Sequence, residues 1–265
     1  MNNVTHYQAS FTDGDEMRRL FEVERPDAVI HCAAMTNVDE CENQADITYE
    51  INAYAPARLA EIANSMGAKF IFISTDAVFD GTKGEPYAET DQVNPINVYG
   101  KSKAIAEELM ERYENNLILR TNMYGFNRSN NVSLSEWVMR SISSGQRITM
   151  FYDVLFSPLL VNTLVSAIES TVANNIKGIL HIGSSDFISK YEFGIFLSQL
   201  MGYSDLIDSG SIDSMDFTAK RSKNMALNVD KALSFGLELP SIGEDLMRML
   251  SLIDQRYPMK LKGDS

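Results

Sequence analysis

Three residues have the types and spacing that hydride-transfer chemistry requires. Tyr99 and Lys103 lie four positions apart in a helical segment, so both side chains would project from one face, and Thr75 ends the apolar run 70–74. A nearby ammonium favours the phenolate, so Lys103 is expected to lower the pKa of Tyr99 from its usual value of about 10. Tyr99 could then exchange a proton with an oxygen on a carbon that gains or loses hydride, while the Thr75 hydroxyl holds that oxygen.

The Tyr99–Lys103 pair also has a simpler interpretation, because such pairs usually form a solvated helix face. The surrounding sequence favours the catalytic interpretation. A strand of buried type is followed by the segment 74–81, then by a loop with Pro86 and Pro95, and then by the helix that carries Tyr99.

These motifs, taken in order, resemble an extended short-chain dehydrogenase/reductase, most closely the RmlD-like dTDP-4-dehydrorhamnose reductase family of sugar-nucleotide enzymes. The resemblance runs over nearly the whole chain and rests on segments 25–39, 74–81, 99–103 and 119–121, with Arg221, Asn224 and Leu227. It implies that Tyr99 donates the proton, that Lys103 also binds the nicotinamide ribose, and that Thr75 and Asp76 meet the sugar.

Composition is that of an enzyme with a sizeable core. The chain has 265 residues, 45% of them hydrophobic, which suffices for one large domain or two closely joined ones. A net charge of -13 argues against nucleic-acid or anionic-membrane partners. Two cysteines form no disulfide framework, the three histidines lack metal-ligand spacing, and no apolar run approaches ~18 residues. We therefore expect a cytoplasmic protein without a metal.

The predicted elements alternate between strands and helices, which indicates a doubly wound, Rossmann-like α/β fold with a parallel sheet covered on both faces. Residues 1–265 are expected to form one unit, with 1–120 mainly the cofactor and catalytic part and 121–265 mainly a smaller interleaved substrate lobe. Periodicity and caps predict strands at 28–33, 70–74, 117–120 and 178–182, and helices at 13–24, 45–66, 98–113, 134–143, 161–173, 190–201 and 243–253.

Ligands of such sheets lie beyond the carboxyl ends of the strands. Ala33 and Ala34 follow one strand end and would let a dinucleotide approach the backbone, although two alanines could also merely pack against a helix. The resemblance extends this cofactor-binding set, whose full membership is Ser10, Phe11, Ala33, Ala34, Met35, Thr36, Tyr99 and Lys103.

The expected substrate-binding residues are Thr75, Asp76, Asn122 and Met123. The family has Trp where Met123 aligns, so the thioether leaves the sugar specificity open. Ser10 likewise stands where the family usually has an Asp near the adenine.

The sequence contains no G-x-x-G-x-x-G turn, although this family begins with a strand, a Gly-rich turn and a helix that receives the pyrophosphate. The segment 4–8 is interpreted as the third strand of that family's sheet. We expect about one βαβ unit to be missing, through a late start codon, a fragment, or a short protein whose open edge a homo-oligomer or partner covers. Binding of NADH or NADPH should then be weak.

Two functional classes follow. The first is an NAD(P)H-dependent reductase of a nucleotide-activated 4-keto-6-deoxy sugar, serving nucleotide-sugar or dTDP-rhamnose biosynthesis, with epimerase or dehydratase chemistry as a variant. The second is a noncatalytic sugar-nucleotide or regulatory binding subunit, similar to the regulatory subunit of methionine adenosyltransferase. The trio Thr75, Tyr99 and Lys103 favours the enzyme, and the absent Gly-rich turn favours the alternative.

Overall fold

The computed structural model of the protein describes residues 4–127 and 132–256. Its strands, in chain order, are β1 (Ala28–His31), β2 (Lys69–Thr75), β3 (Asn116–Thr121), β4 (Met123–Tyr124), β5 (Ile148–Phe151), β6 (Leu155–Phe156), β7 (Leu159–Leu160), β8 (Gly178–Ile182), β9 (Ile188–Ser189), β10 (Ile207–Gly210) and β11 (Asn224–Met225). Its helices are α1 (Gly14–Glu24), α2 (Val38–Asn43), α3 (Ala45–Tyr49), α4 (Ala55–Ser65), α5 (Val98–Met110), α6 (Leu134–Ser143), α7 (Val161–Ala173), α8 (Lys190–Leu200), α9 (Asp230–Ser234) and α10 (Ile242–Arg256).

A parallel sheet with strand order β1-β2-β3-β8 forms the centre of the fold. Its middle strands β2 and β3 are buried along their whole length, as expected for a sheet covered on both faces. One face packs against α1, α4 and α5, and the other against α7 and α9. This arrangement confirms the predicted Rossmann-like fold class.

The long helix predicted for 45–66 contains one irregular turn. A π-helical turn at Glu50–Tyr54 separates α3 from α4, and Asn52 lies fully buried within it. Such turns are frequent at functional sites because they change the direction of one side chain. Beyond α4, Gly67 has a φ of +79°, the left-handed conformation that ends a helix.

The second half of the chain contributes β8 to the central sheet and also builds a smaller lobe. The short sheets β5-β10, β6-β9-β11 and β4-β7 belong to this lobe, and their apolar side chains form a separate core with α6, α8 and α10. The carboxyl ends of β2 and β3 therefore meet the lobe, which places their terminal residues between the two cores.

One predicted strand is wrong. Residues 4–8 lie outside the helices and strands, and Val4 and Tyr7 are exposed. Strands require a neighbour to satisfy their backbone groups, and within the described ranges this segment pairs with none of the four strands. β1 is an edge strand, and Ile30 on it is 48% exposed. Among residues 4–127 and 132–256, no helix is long and apolar enough to cross a membrane.

Candidate active site

The carboxyl end of β2 carries the first two candidate residues. Thr75 is the last residue of β2, and Asp76 begins a 3-10 turn at Asp76–Val78. Both side chains are buried. The Thr75 hydroxyl lies 3.0 Å from Asp76 Oδ1 and accepts a hydrogen bond from the Ala77 amide at 3.2 Å. The turn thus fixes the Thr75 hydroxyl at the end of the sheet.

Helix α5 approaches this turn at its N-terminus. Asn97 caps the helix by accepting from the Gly100 amide at 2.8 Å, a geometry that satisfies one of the open backbone donors. A Cβ on Gly100 would lie 2.2 Å from the Ala77 carbonyl oxygen. Only glycine therefore allows α5 to approach the turn this closely, and that approach brings Tyr99 to Thr75.

Tyr99 is half-buried, and Thr75 is among the groups that act on its phenol. Burial raises the pKa of Tyr99 to about 12, and the nearby Asp76 carboxyl adds to the increase. The sequence-based expectation that Lys103 lowers this pKa is wrong for this arrangement. Desolvation of the phenolate outweighs the opposing contribution from Thr75, and the Lys103 ammonium is directed elsewhere.

Lys103 is 2% exposed and lies beneath the end of the sheet. Its Nζ donates to the Ile73 carbonyl at 2.7 Å and lies 3.8 Å from the centroid of the Phe72 ring. Burial lowers the pKa of Lys103 to about 7, against the opposing effects of Glu107 and Cys32. The ammonium is thus held to the backbone of β2, two residues before Thr75.

Asn122, just after β3, and Lys190, in the smaller lobe, both act on the Asp76 carboxyl beside Thr75. Asn122 donates to Asp76 Oδ2 at 2.7 Å, and the Lys190 ammonium at the start of α8 acts on the same carboxyl. Burial raises the pKa of Asp76 to about 6, although Asn122, Thr75 and Lys190 all oppose that shift. Met123, the neighbour of Asn122, is 43% exposed at the start of β4.

A buried ion pair joins α5 to β3. Arg120 on β3 binds Glu107 through Nε at 3.1 Å and Nη2 at 2.6 Å, and both side chains are almost fully buried. Ser74 donates to the same carboxylate, and His181 lies 3.4 Å from Arg120 Nη1. This network was not predicted from the sequence. Arg120 inside an apolar strand, and Glu107 one turn after Lys103, were the available signals.

The predicted cofactor edge follows β1. Ala33 and Thr36 are exposed, and Ala34 and Met35 are half-buried. Asn52 holds this loop, because its side chain accepts from the Met35 amide at 2.8 Å and donates to the Met35 carbonyl at 2.9 Å.

Asn52 also donates to Ser102 on α5 at 3.1 Å. It therefore links the cofactor edge to the helix of Tyr99 and Lys103, a role that sequence analysis did not assign. A polar residue within an otherwise apolar helix face was the signal.

Phe11 and Ser10 lie on the α1 side of β1. Phe11 contacts the His31 ring edge-on, with centroids 5.4 Å apart. Ser10 is exposed, its amide donates to Glu16 at 3.0 Å, and its hydroxyl pairs with Thr12. Phe11 thus reaches the end of β1, whereas the polar contacts of Ser10 belong to the start of α1.

The segment 221–227 joins the two halves of the chain. Arg221 binds Asp39 at 2.6 Å, and Asn224 donates to the Lys83 carbonyl at 2.6 Å. Leu227 forms a bridge with Tyr87. These contacts hold the smaller lobe against the loop that follows the 3-10 turn.

Comparison with known proteins identifies the family. The family model of the RmlD substrate binding domain matches residues 1–254. A probable low-salt glycan biosynthesis reductase of Haloferax volcanii is 29% identical over 246 residues, 91% of this chain and 82% of that protein. A spore coat polysaccharide biosynthesis protein of Bacillus subtilis is 32% identical over 201 residues, 75% of this chain and 70% of that protein.

A solved structure has the same fold. The dTDP-4-dehydrorhamnose reductase of Bacillus anthracis, in complex with NADP, superposes with a TM-score of 0.85 at 28% identity, covering 91% of this chain and 86% of that one. The match extends over both the central sheet and the smaller lobe. This chain therefore belongs to the RmlD substrate binding domain family, within the extended short-chain dehydrogenase/reductases.

Proposed function

We propose that this protein reduces the 4-keto group of a dTDP-activated 4-keto-6-deoxy sugar. The observation that carries the proposal is the convergence of Thr75, Tyr99 and the buried Lys103 at one end of β2. Asp76 and Asn122 form a polar surface beside them, where a sugar could bind.

The broader class rests on the relatives. They include reductases of glycan and sugar-nucleotide biosynthesis, and one is bound to NADP. This agreement confirms the expected NAD(P)-dependent oxidoreductase of the sugar-nucleotide type. The particular sugar is part of the proposal.

The end of β1 fits the nicotinamide half of NAD(P)H. The small side chains of Ala33 and Ala34 leave the backbone accessible, and the buried Nε2 of His31 has no hydrogen-bond partner among the described residues. Lys103 would hold the ribose, and residues 33–36 would line the dinucleotide. When bound, the nicotinamide supplies hydride to the carbonyl carbon of the sugar.

The chain's own residues supply the proton and the orientation. Tyr99 would donate its phenolic proton to the C4 oxygen as that oxygen gains negative charge. The Thr75 hydroxyl would hold the same oxygen, and Asp76 and Asn122 would bind sugar hydroxyls.

Steady-state oxidation of NADPH and NADH with dTDP-4-keto-6-deoxy sugars tests the proposal. Tyr99→Phe should reduce turnover by roughly 10² or more, with the fold and sugar-nucleotide binding retained. Lys103→Ala should weaken turnover and cofactor affinity together, and Thr75→Val should cost less because Thr75 orients the oxygen without supplying the proton. Tyr113 is a half-buried tyrosine just beyond α5, so Tyr113→Phe is the matched control.

Near-parental turnover by Tyr99→Phe would exclude Tyr99 as the acid. A parent protein that binds the sugar nucleotide and NADPH but oxidises no cofactor would instead support the noncatalytic alternative. Calorimetric titration of both ligands separates these outcomes.

A further inference from the structure

The ammonium of Lys103 is buried without a carboxylate partner. Lys103 is 2% exposed, and a cation at that depth ordinarily requires a paired charge. Glu107, one turn further along α5, gives its carboxylate oxygens to Arg120 and Ser74 instead. Across residues 4–127 and 132–256, no carboxylate lies within salt-bridge distance of Lys103 Nζ. Another group must therefore stabilise this charge.

The face of the Phe72 ring lies against the ammonium. Lys103 Nζ is 3.8 Å from the ring centroid, well inside the range of about 6 Å over which an aromatic face attracts a cation. The same Nζ donates to the Ile73 carbonyl at 2.7 Å. An ammonium has three N–H donors, so these two contacts leave one donor for a ligand.

The position of the Phe72 ring is fixed by its surroundings. His31 lies opposite Phe72 in the register of β1 and β2, and the two rings stack with centroids 6.1 Å apart and planes 15° apart. Phe72 is 0% exposed, and close packing leaves such a ring little room to turn. Burial, and secondarily the Lys103 charge, lowers the pKa of His31 to about 4. His31 is therefore neutral at pH 7 and does not compete for the ring as a second cation.

We propose that Phe72 is a positioning residue for Lys103: the electron-rich face of its ring keeps the buried ammonium charged and fixes Nζ beneath the cofactor ribose. Only the contact with the ribose rests on the proposed function, because the attraction between ring and ammonium needs no ligand. A desolvated contact of this kind should keep the pKa of Lys103 about 1 higher than an aliphatic neighbour would.

Fluorinated phenylalanine at position 72 tests the attraction directly. Fluorine withdraws electron density from the face of the ring and leaves its shape nearly unchanged, so the attraction for a cation should weaken stepwise. From phenylalanine through the mono-, di- and trifluorinated forms, the pKa of Lys103 should fall by about 1 in total. Nuclear magnetic resonance titration of isotope-labelled lysine side chains measures this pKa, and Lys103→Met identifies the Lys103 signal.

Phe70 provides the matched control. It lies two residues before Phe72 on the same face of β2, is also 0% exposed, and also stacks on His31 with centroids 6.1 Å apart. Among the described residues, no cation lies over its ring. Fluorination at position 70 should therefore leave the pKa of Lys103 unchanged.

Both fluorinated series keep the titratable groups that face Lys103 or neighbour it on α5, which are His31, Cys32, Tyr99 and Glu107. A difference between the two series therefore reports the ring contact alone. Equal shifts from positions 70 and 72, or no dependence on fluorine number at position 72, would overturn the proposal.

NADPH affinity gives a second readout, with Phe72→Leu as the variant. At pH 7 the charged fraction of Lys103 should fall from about one half to about one tenth, so NADPH should bind about fivefold more weakly. This loss should shrink as pH falls to about 5, where Lys103 is charged in both proteins. Phe70→Leu should show no pH-dependent loss.

A weakening in Phe72→Leu that is the same at every pH would indicate lost packing and would overturn the proposal. The two parts of the proposal can fail separately. If the parent binds no NADPH while fluorination at position 72 shifts the titration of Lys103, the proposed cofactor contact fails and the ring–ammonium contact stands.

Discussion

Substitution of Gly100 by Ala should separate the stability of the fold from the geometry of the candidate site. The added Cβ would lie 2.2 Å from the Ala77 carbonyl oxygen and 2.9 Å from Pro95 Cβ. Close carbon–oxygen contacts in proteins are about 3.3 Å. The carbonyl belongs to the 3-10 turn that holds Thr75, so relief of the clash requires α5 and this turn to separate by about 1 Å.

Gly100→Ala should affect stability and turnover to different extents. Overpacking of a well-packed site costs about 1–3 kcal/mol, and the greater helix propensity of Ala offsets about 1 kcal/mol of this. The net loss of unfolding free energy should therefore be at most about 2 kcal/mol. A displacement of about 1 Å between Tyr99 and Thr75 should cost about 10² in turnover.

Urea denaturation and NADPH oxidation would measure the two effects. Gly14→Ala is the matched control, because Gly14 also lies in the first turn of a helix and a Cβ added there would meet no described atom within 4 Å. Gly14→Ala should leave turnover unchanged. Parental turnover in Gly100→Ala would refute the argument that close approach of α5 to the turn assembles the site.

Three further predictions concern buried ionisable groups. The pKa of Asp76 is raised to about 6, above the usual value of about 4 in unfolded chains. The free energy of unfolding should therefore fall by roughly 3 kcal/mol as pH rises from about 4 to beyond about 6. Urea denaturation of Asp76→Asn should show no such fall. The pKa of His31 is lowered to about 4 by burial, so stability should fall by roughly 3 kcal/mol as pH decreases from about 6.5 to about 4, and His31→Phe should remove most of that loss unless another group causes it. Arg120→Met leaves Glu107 buried without its cation and should lower the free energy of unfolding by about 3–5 kcal/mol. In a double-mutant cycle, addition of Glu107→Leu should recover part of this loss. No recovery would indicate that the two charges act independently.

The central fold could be predicted from local sequence because its signals are local. The apolar runs at 70–74 and 117–120 have no alternation, as strands buried on both faces require, and both lie within observed strands. Asp13 caps α1 at the start of the helix predicted for 13–24, accepting from the amides of Asp15 and Glu16.

The electrostatics of the site could not be predicted in the same way. Spacing placed Tyr99 and Lys103 one turn apart, but it contained no information about burial. The depth of Lys103 depends on how α5 packs on β2, where Ile73 and Phe72 receive the ammonium. The failed strand at 4–8 has a similar cause, because strand formation depends on a neighbouring strand that local propensity does not reveal.

Burial shifts the pKa values of both Tyr99 and Lys103. The resulting protonation state of Tyr99 suits reduction of a carbonyl. Burial raises the pKa of Tyr99 to about 12 and lowers that of Lys103 to about 7, so both neutral forms are favoured. A protonated Tyr99 is the form that reduction of a carbonyl needs, whereas oxidation of an alcohol would need the costly phenolate. The buried Glu107 opposes the shift of Lys103 from one turn away, and it is itself fixed by Arg120 and Ser74. The buried ion pair therefore helps to keep an ammonium available beneath a tyrosine that is held as an acid.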